Sequence, residues 1–198
     1  MTLPPLPPTP AGVTWQPGGR SVVDVLAGEH ATIADLCVRL ADPAITPRRR
    51  REIADVLAAT VARHLSAEEQ YLYPVIRRMR GAGAVDREIA AGRALRRALR
   101  RPGPEIARGL REHAASVEDM LAALAAATPP AELIRLGNRV EVAEEAAPTR
   151  PHPKAPAKPP WNKVADPALG VLDRLRDAFT GRRTRARDLD ARREDRLF

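Results

Sequence analysis

Apolar residues return along the middle of the chain at alternating intervals of three and four, the period of an α-helix with one buried face. Between Ser21 and Ala41 the stripe reads Val23, Leu26, His30, Ile33, Cys37 and Leu40. A second stripe of Ile53, Leu57, Val61, His64, Glu68, Tyr71 and Val75 runs through residues 48–80, and a third of Ile106, Leu110, His113, Val117, Leu121 and Leu124 through 104–127. Breakers punctuate the pattern: Asp42-Pro43 with Pro47, Gly81 to Gly83, Pro102 to Pro104, and Pro129-Pro130, where proline removes a backbone donor and glycine loosens the chain. The spacing predicts helices over 21–41, 48–80, 84–101, 104–127 and 130–146, with Ser21 capping the first and Pro104 in the first turn of the fourth. Short connections force neighbours antiparallel. The expected fold is all-α, an up-down-up-down four-helix bundle with an extra C-terminal helix.

Composition changes the picture at the ends. Residues 1–20 and 148–160 each carry six prolines, so both are expected to be extended and solvated. Beyond the second, Pro167 opens an amphipathic segment with Leu169, Leu172, Leu175 and Phe179 on one face, followed by an Arg-rich end. The predicted organisation is a disordered proline-rich N-terminus (1–20), a helical bundle (21–147), a proline-rich linker (148–163), and a short amphipathic helix with an Arg-rich tail (164–198). The formal charge is +8, which invites a nucleic-acid reading, but residues 148–198 hold 13 of the Lys and Arg against 7 acids while the bundle is nearly neutral. That tail lacks interleaved aromatics and a helix-turn-helix signature, so it supports nonspecific phosphate contact and not sequence-specific recognition. Three lysines stand beside 30 arginines, which makes the Arg clusters of the bundle a matter of composition on a solvated surface. No apolar run is long enough to span a membrane and no secretory leader opens the chain, so a cytoplasmic location is expected. Cys37 is the sole cysteine; it excludes an internal disulfide and a zinc-thiolate site, and between Leu36 and Val38 it reads as a small buried hydrophobe.

The histidines carry the candidate chemistry. His30, His64 and His113 occupy stripe positions that a bundle core would fill with leucine, and Glu68 lies one turn from His64 on the same face. In an up-down bundle the helix midpoints are level, and each of these histidines falls within about two residues of its own midpoint, an offset of roughly 3 Å at 1.5 Å per residue. They are expected to converge. Separate core histidines, each bonded to a carbonyl, would explain one such residue but not three meeting a buried glutamate, whose ionised form needs a partner. Imidazoles and carboxylates from facing helices are how bundle cores hold iron or manganese. Tyr71, seven residues after His64, shares that face and either packs in the core or directs its hydroxyl at the cluster; His152 sits between prolines and reads as inert.

These residues give the chain its resemblance to the hemerythrin or HHE cation-binding family over about Ser21 to Ala127. "DVLAGEH" from Asp24, "HLSAEEQYLYP" from His64 and "REHAASVED" from Arg111 carry it, the His-x-x-x-Glu-Glu followed by Tyr-Leu-Tyr-Pro being the most specific element. The resemblance implies non-haem iron, one or two ions, and a small diatomic ligand or peroxide: dioxygen or nitric oxide bound or sensed, or peroxide removed, under redox stress. By position it implies His30 and His64 as ligands of one iron, Glu68 as a bridge, and His113 as a terminal ligand, with Glu118 taking the place of the usual last-helix aspartate.

The third helix departs from the family pattern. Where a histidine is usual the chain has Gly92, with Glu88 one turn earlier as a substitute oxygen ligand, and the position four after His113 is Val117. One ordinary half-site, a weakened second half-site and loss of metal binding all stay open on these residues. The competing reading is a metal-free degenerate bundle that acts as an interaction or regulatory module, with a protein partner engaged through the C-terminal helix and basic tail.

Overall fold

A computed structural model describes residues 17–100, 105–152 and 162–194, of which 163 and 191–194 by backbone alone. Its helices are α1 (Val22–Ala41), α2 (Pro47–Ala67), α3 (Tyr73–Arg80), α4 (Ala82–Ala98), α5 (Glu105–Ala127), α6 (Pro130–Ala146), α7 (Asn162–Thr180) and α8 (Arg187–Glu194). The described residues contain no strand. Local signals set the ends. The Ser21 hydroxyl accepts from the Asp24 amide at 3.2 Å and the Thr46 hydroxyl from the Arg49 amide at 3.2 Å, each satisfying a donor that the first turn leaves unpaired. Gly81 adopts φ 82° between α3 and α4, a conformation that costs a residue without Cβ little.

The long second helix expected over 48–80 is interrupted. A π-helical turn, Glu68–Leu72, joins α2 to α3, with the Tyr73 amide donating to the Glu68 carbonyl. Pro74 supplies a cause: in a regular helix its ring would crowd the Gln70 carbonyl and its missing N–H would orphan that group, and a widened turn just upstream absorbs the conflict.

The bundle interior is apolar at both ends and polar in the middle. One cluster gathers Val25, Leu26, Leu72, Ile76, Val117, Leu121 and Leu124; the other gathers Ile33, Leu36, Leu57, Leu65, Leu95 and Leu110. Along α1 the boundary falls between Leu26 and Ile33, and along α5 between Leu110 and Val117. His30 and His113 fill those gaps.

Helix α6 lies against α1 and α2. It approaches closely because Gly137 faces the start of α1, where an added Cβ would overlap the Arg20 carbonyl oxygen and stand 2.9 Å from the Ser21 carbonyl carbon. The tail is held rather than free. Leu189 is 1% exposed within the second apolar cluster, and Arg182 pairs with Asp55 at 2.8 Å. Arg49 and Arg63 of α2 donate to the carbonyls of Leu189 and Thr184 at 2.7 and 2.8 Å. The C-terminal helix begins five residues before Pro167 rather than at it. Of the segment expected to be an unpacked linker, Thr149 is buried and bonded to Asp177, and His152 lies 2.9 Å from Asp173; residues 153–161, like 1–16 at the N-terminus, are outside the described residues.

Gly137→Ala is therefore expected to destabilise the chain in urea unfolding. Gly28→Ala, on an open face of α1 where the nearest atom to a new Cβ is 3.7 Å away, is expected to be neutral or stabilising by up to about 1 kcal/mol of helix propensity. Equal stabilities for the two variants would show that α6 does not seat on α1 as described.

Candidate metal centre

Four elements deliver the polar core. Helix α1 brings Glu29 and His30, α2 brings His64, α5 brings His113, and Glu68 opens the π turn. His30 Nε2 and His64 Nε2 lie 3.2 Å apart, and His113 Nε2 and His64 Nε2 3.4 Å. The Glu68 carboxylate reaches both: Oε1 is 3.3 Å from His64 Nε2 and Oε2 is 3.2 Å from His113 Nε2. The ring centroids are 4.9, 5.5 and 6.0 Å apart and the rings stand edge to face. The expected convergence of His30, His64, Glu68 and His113 is met, and these four can offer ligand atoms all within 4.8 Å of one another.

Three imidazole nitrogens pointed at one spot cannot all be satisfied by protons, since each N–H needs an acceptor and at least one pair faces like against like. The orphaned atoms agree. Glu68 is fully buried, and its Oε1 has no hydrogen-bond partner. Ligands bound to one metal at about 2.0–2.1 Å stand roughly 2.8–3.0 Å from each other along the edges of an octahedron and roughly 3.3–3.4 Å along those of a tetrahedron, and the four separations above are close to the tetrahedral size. The donor set fits a single cation.

The outward nitrogens have carboxylates of their own. His64 Nδ1 is 2.7 Å from Glu29 Oε2, His113 Nδ1 is 3.4 Å from Glu88 Oε2, and His30 Nδ1 is 3.6 Å from Glu118 Oε1. A proton held at Nδ1 leaves the Nε2 lone pair facing inward. Glu88 is itself steadied by the Ser116 hydroxyl, which donates at 2.6 Å. Of these three contacts only the one between His64 and Glu29 is a hydrogen bond; the Nδ1 atoms of His30 and His113 have no hydrogen-bond partner, and Glu118, 3.6 Å away with its side chain 61% exposed, is the most loosely placed of the three carboxylates.

Charge is balanced tightly at the centre. Burial opposes ionisation of Glu68, but His64 and His113 outweigh it and hold the carboxyl well below its usual range. Burial likewise opposes protonation of His113, yet Glu68 and Glu88 push it up to about 9; Glu68 and Glu29 raise His64 in the same way. His30 is driven down to about 4, first by burial and then by the His64 charge, so it is a neutral donor at ordinary pH. The Tyr73 hydroxyl donates to Glu68 Oε2 at 2.9 Å, and burial with the adjacent carboxylate keeps that phenol protonated.

Around this core the structure rearranges several expected roles. Glu88 and Glu118 approach the outer nitrogens of His113 and His30 rather than the convergence point. Tyr71 is half-buried against the first apolar cluster, and the tyrosine bonded to Glu68 is Tyr73, which the π turn brings round. Gly92 faces elsewhere: an added Cβ would stand 3.5 Å from Leu65 Cδ2 and 3.8 Å from Glu69 Oε1. Val117 is fully buried in the apolar core. Cys37 is half-buried, its thiol pKa raised by burial. The sequence reading singled out neither Glu29 nor the buried pair in which Arg96 grips Glu69 with two bonds of 2.6 and 3.0 Å. Glu29 precedes His30, and a carboxylate beside a stripe histidine was the available signal. The Arg96 contact depends on the widened turn, which buries Glu68, Glu69 and Gln70 together.

A second acidic group extends the centre outward. Glu144 of α6 shares a hydrogen bond with Glu29, and its carboxyl is raised to about 9 by burial first and then by Glu29. The two carboxylates hold one proton between them, with Glu29 the ionised member beside His64.

In comparison with known proteins, the family described as "Hemerythrin HHE cation binding domain" matches residues 21–130. No curated protein and no solved structure matches the chain.

Two outcomes follow from the buried acids. Arg96→Met leaves Glu69 unpaired in the interior and is expected to cost about 3–5 kcal/mol in denaturant unfolding, with Arg96→Met/Glu69→Gln recovering much of the loss; no recovery would refute the pairing. For Glu144 the folded pKa lies above the unfolded value of 4.5, so the folded state binds the extra proton and its contribution is lost as pH rises from about 4.5 to about 9. Relative to Glu144→Gln, the native chain should lose thermal stability across that window, and parallel pH profiles would exclude the shared proton.

Proposed function

Since the chain belongs to the hemerythrin HHE cation-binding family, we propose that it holds one non-haem iron on His30, His64, His113 and Glu68 and offers it to dioxygen, nitric oxide or peroxide. The observation that carries this reading is the convergence of three Nε2 atoms and one carboxylate at a single point, with His64 held from behind by Glu29. Bound iron would supply reversible one-electron chemistry and coordination positions that four protein ligands do not fill. Glu29 serves as an orienting partner, fixing the tautomer and the ring plane of His64, while Glu88 and Glu118 place negative charge near His113 and His30 without a hydrogen bond. Tyr73 anchors Glu68 from the opposite side.

Access is by an apolar route. A cavity of about 230 Å³ lies between α1 and α5, lined by Ile33, Ala34, Cys37 and Leu110, and it touches both His30 and His113. Such a lining is mostly apolar and suits small molecules, with the charged side chain of Arg111 on its wall. That supports a small ligand over a bulky substrate.

Iron loaded anaerobically into the full chain should reach one ion per chain, and the absorption spectrum should change on exposure to nitric oxide or dioxygen. His64→Ala should abolish loading. Glu29→Gln should weaken it by about 10–100-fold, and Glu118→Gln should change it least. Affinity should fall as pH drops, because the cation displaces protons from His64 and His113. Two ions per chain would overturn the single centre. No binding would leave the metal-free module as the better account.

A further inference from the structure

Helix α7 presents its two faces in an unusual sense. Asn162, Asp166, Asp173 and Asp177 are the buried side. Asp166 takes bonds from Ser66 and Gln70 at the π turn. Asp173 accepts from the Arg150 amide at 2.9 Å, and Asp177 pairs with Arg150 at 2.6 Å and with Arg182 at 3.4 Å. Gly170 lies on the same side, where an added Cβ would overlap the Ala146 carbonyl oxygen and stand 2.9 Å from that of Ala147. Close approach at Gly170 and acceptors on both sides of it fix the rotation of the helix. The acidic face is turned in.

The apolar face is consequently turned out. Val164 is 64% exposed, Val171 51%, Leu172 63%, Leu175 55% and Phe179 90%. At 3.6 residues per turn these five positions fall within an arc of roughly 100°, and the stripe is about 22 Å long. Arg174 and Arg176 stand about 100° to either side of Leu175, one on each margin of the stripe, and both are exposed, Arg174 with one guanidinium nitrogen donating to the Glu145 carbonyl at 2.7 Å. Every aspartate of α7 is engaged on the inner side, so the outward half carries cations and no anion. Arg185 and Arg187, also exposed, follow.

We propose that this face of α7 docks on the surface of an anionic lipid bilayer, with the apolar stripe in the acyl boundary and the marginal arginines among the phosphates. Long cationic side chains at the edges of an apolar arc are able to extend their heads to the headgroup layer while their stems cover hydrocarbon. A second copy of the chain fits less well. It would set arginine margins against arginine margins, and a face one helix wide does not approach the about 800 Å² per partner of a standard interface. A bilayer needs neither matching shape nor that area. No described helix is long and apolar enough to cross a membrane, so the contact lies in the plane of the surface. The proposal uses none of the metal ligands and stands apart from the iron reading.

Sedimentation of the full chain with vesicles tests it, using phosphatidylcholine–phosphatidylglycerol mixtures against phosphatidylcholine alone. Binding is expected to be about tenfold or more stronger on the anionic vesicles and to fall with salt. Leu172→Gln/Leu175→Gln and Phe179→Ser should each remove most of it with helicity by circular dichroism unchanged. Arg174→Gln/Arg176→Gln should weaken it, whereas the charge-matched control Arg93→Gln/Arg97→Gln on α4 should not. Absence of binding, binding indifferent to the Leu and Phe changes, or equal weakening by the α4 control would overturn the proposal. So would light scattering that finds a dimer dissociated by Leu172→Gln/Leu175→Gln, which would assign the face to a second copy.

Discussion

A carboxylate with no access to water sits at the middle of the bundle, and much of the structure is arranged so that it can stay ionised there. Glu68 is fully buried; an unpaired anion in that position would be costly enough to prevent folding. His64 and His113 reach it from two helices, Tyr73 donates to it from a third segment, and Glu29 and Glu88 in turn steady the imidazoles. The apolar clusters on either side exclude solvent from this set and make each pairing stronger than it would be at a surface. A cation binding here would take over a role that protons and hydrogen bonds otherwise fill, so assembly of the core and affinity for metal are two aspects of the same electrostatics.

The fold and the centre of the site were largely legible in the sequence. Helix ends followed proline, glycine and capping residues, because those act through the local backbone and need no tertiary information. His30, His64 and His113 were legible because a polar ring on an apolar stripe is informative only in a core, and helix midpoints gave their level. The partners of those rings were less so. A 3.6-residue period placed Tyr71 on the face that Tyr73 partly takes over, since a π turn shifts the register by about one residue step and Pro74 was the sole local warning. Glu88 and Glu118 lay close to where the pattern put them, but which nitrogen of an imidazole a carboxylate meets depends on rotamers that spacing does not encode.

The end of the chain shows a different limit. Amphipathic periodicity put Leu169, Leu172, Leu175 and Phe179 on one face of α7, of which the last three are exposed together and Leu169 is half-buried, yet periodicity says only that two faces differ. It is silent on which one turns inward. Here the choice was made by Gly170 and by three aspartates, Asp166 bonded to Ser66 of α2 and Asp173 and Asp177 to Thr149, Arg150 and His152 in the segment between α6 and α7. Similarly, the arginines beyond α7 read as a tail suited to nonspecific phosphate contact, although Arg182 is inserted against Asp55 and Leu189 packs in the second apolar cluster. Those contacts join residues more than a hundred positions apart, beyond the reach of any local rule.

Helix α6 lies almost wholly outside the matched residues 21–130, yet Gly137 lets it press on the start of α1 and Glu144 reaches the carboxylate that orients His64. A domain boundary drawn by family likeness and the boundary of the chemical unit therefore do not coincide. The groups that converge in the core lie within the matched segment, and a carboxylate that bears on one of them, Glu144, lies outside it. Chains alike over that segment could in this way hold the protons of their buried core differently, according to what each carries beyond it.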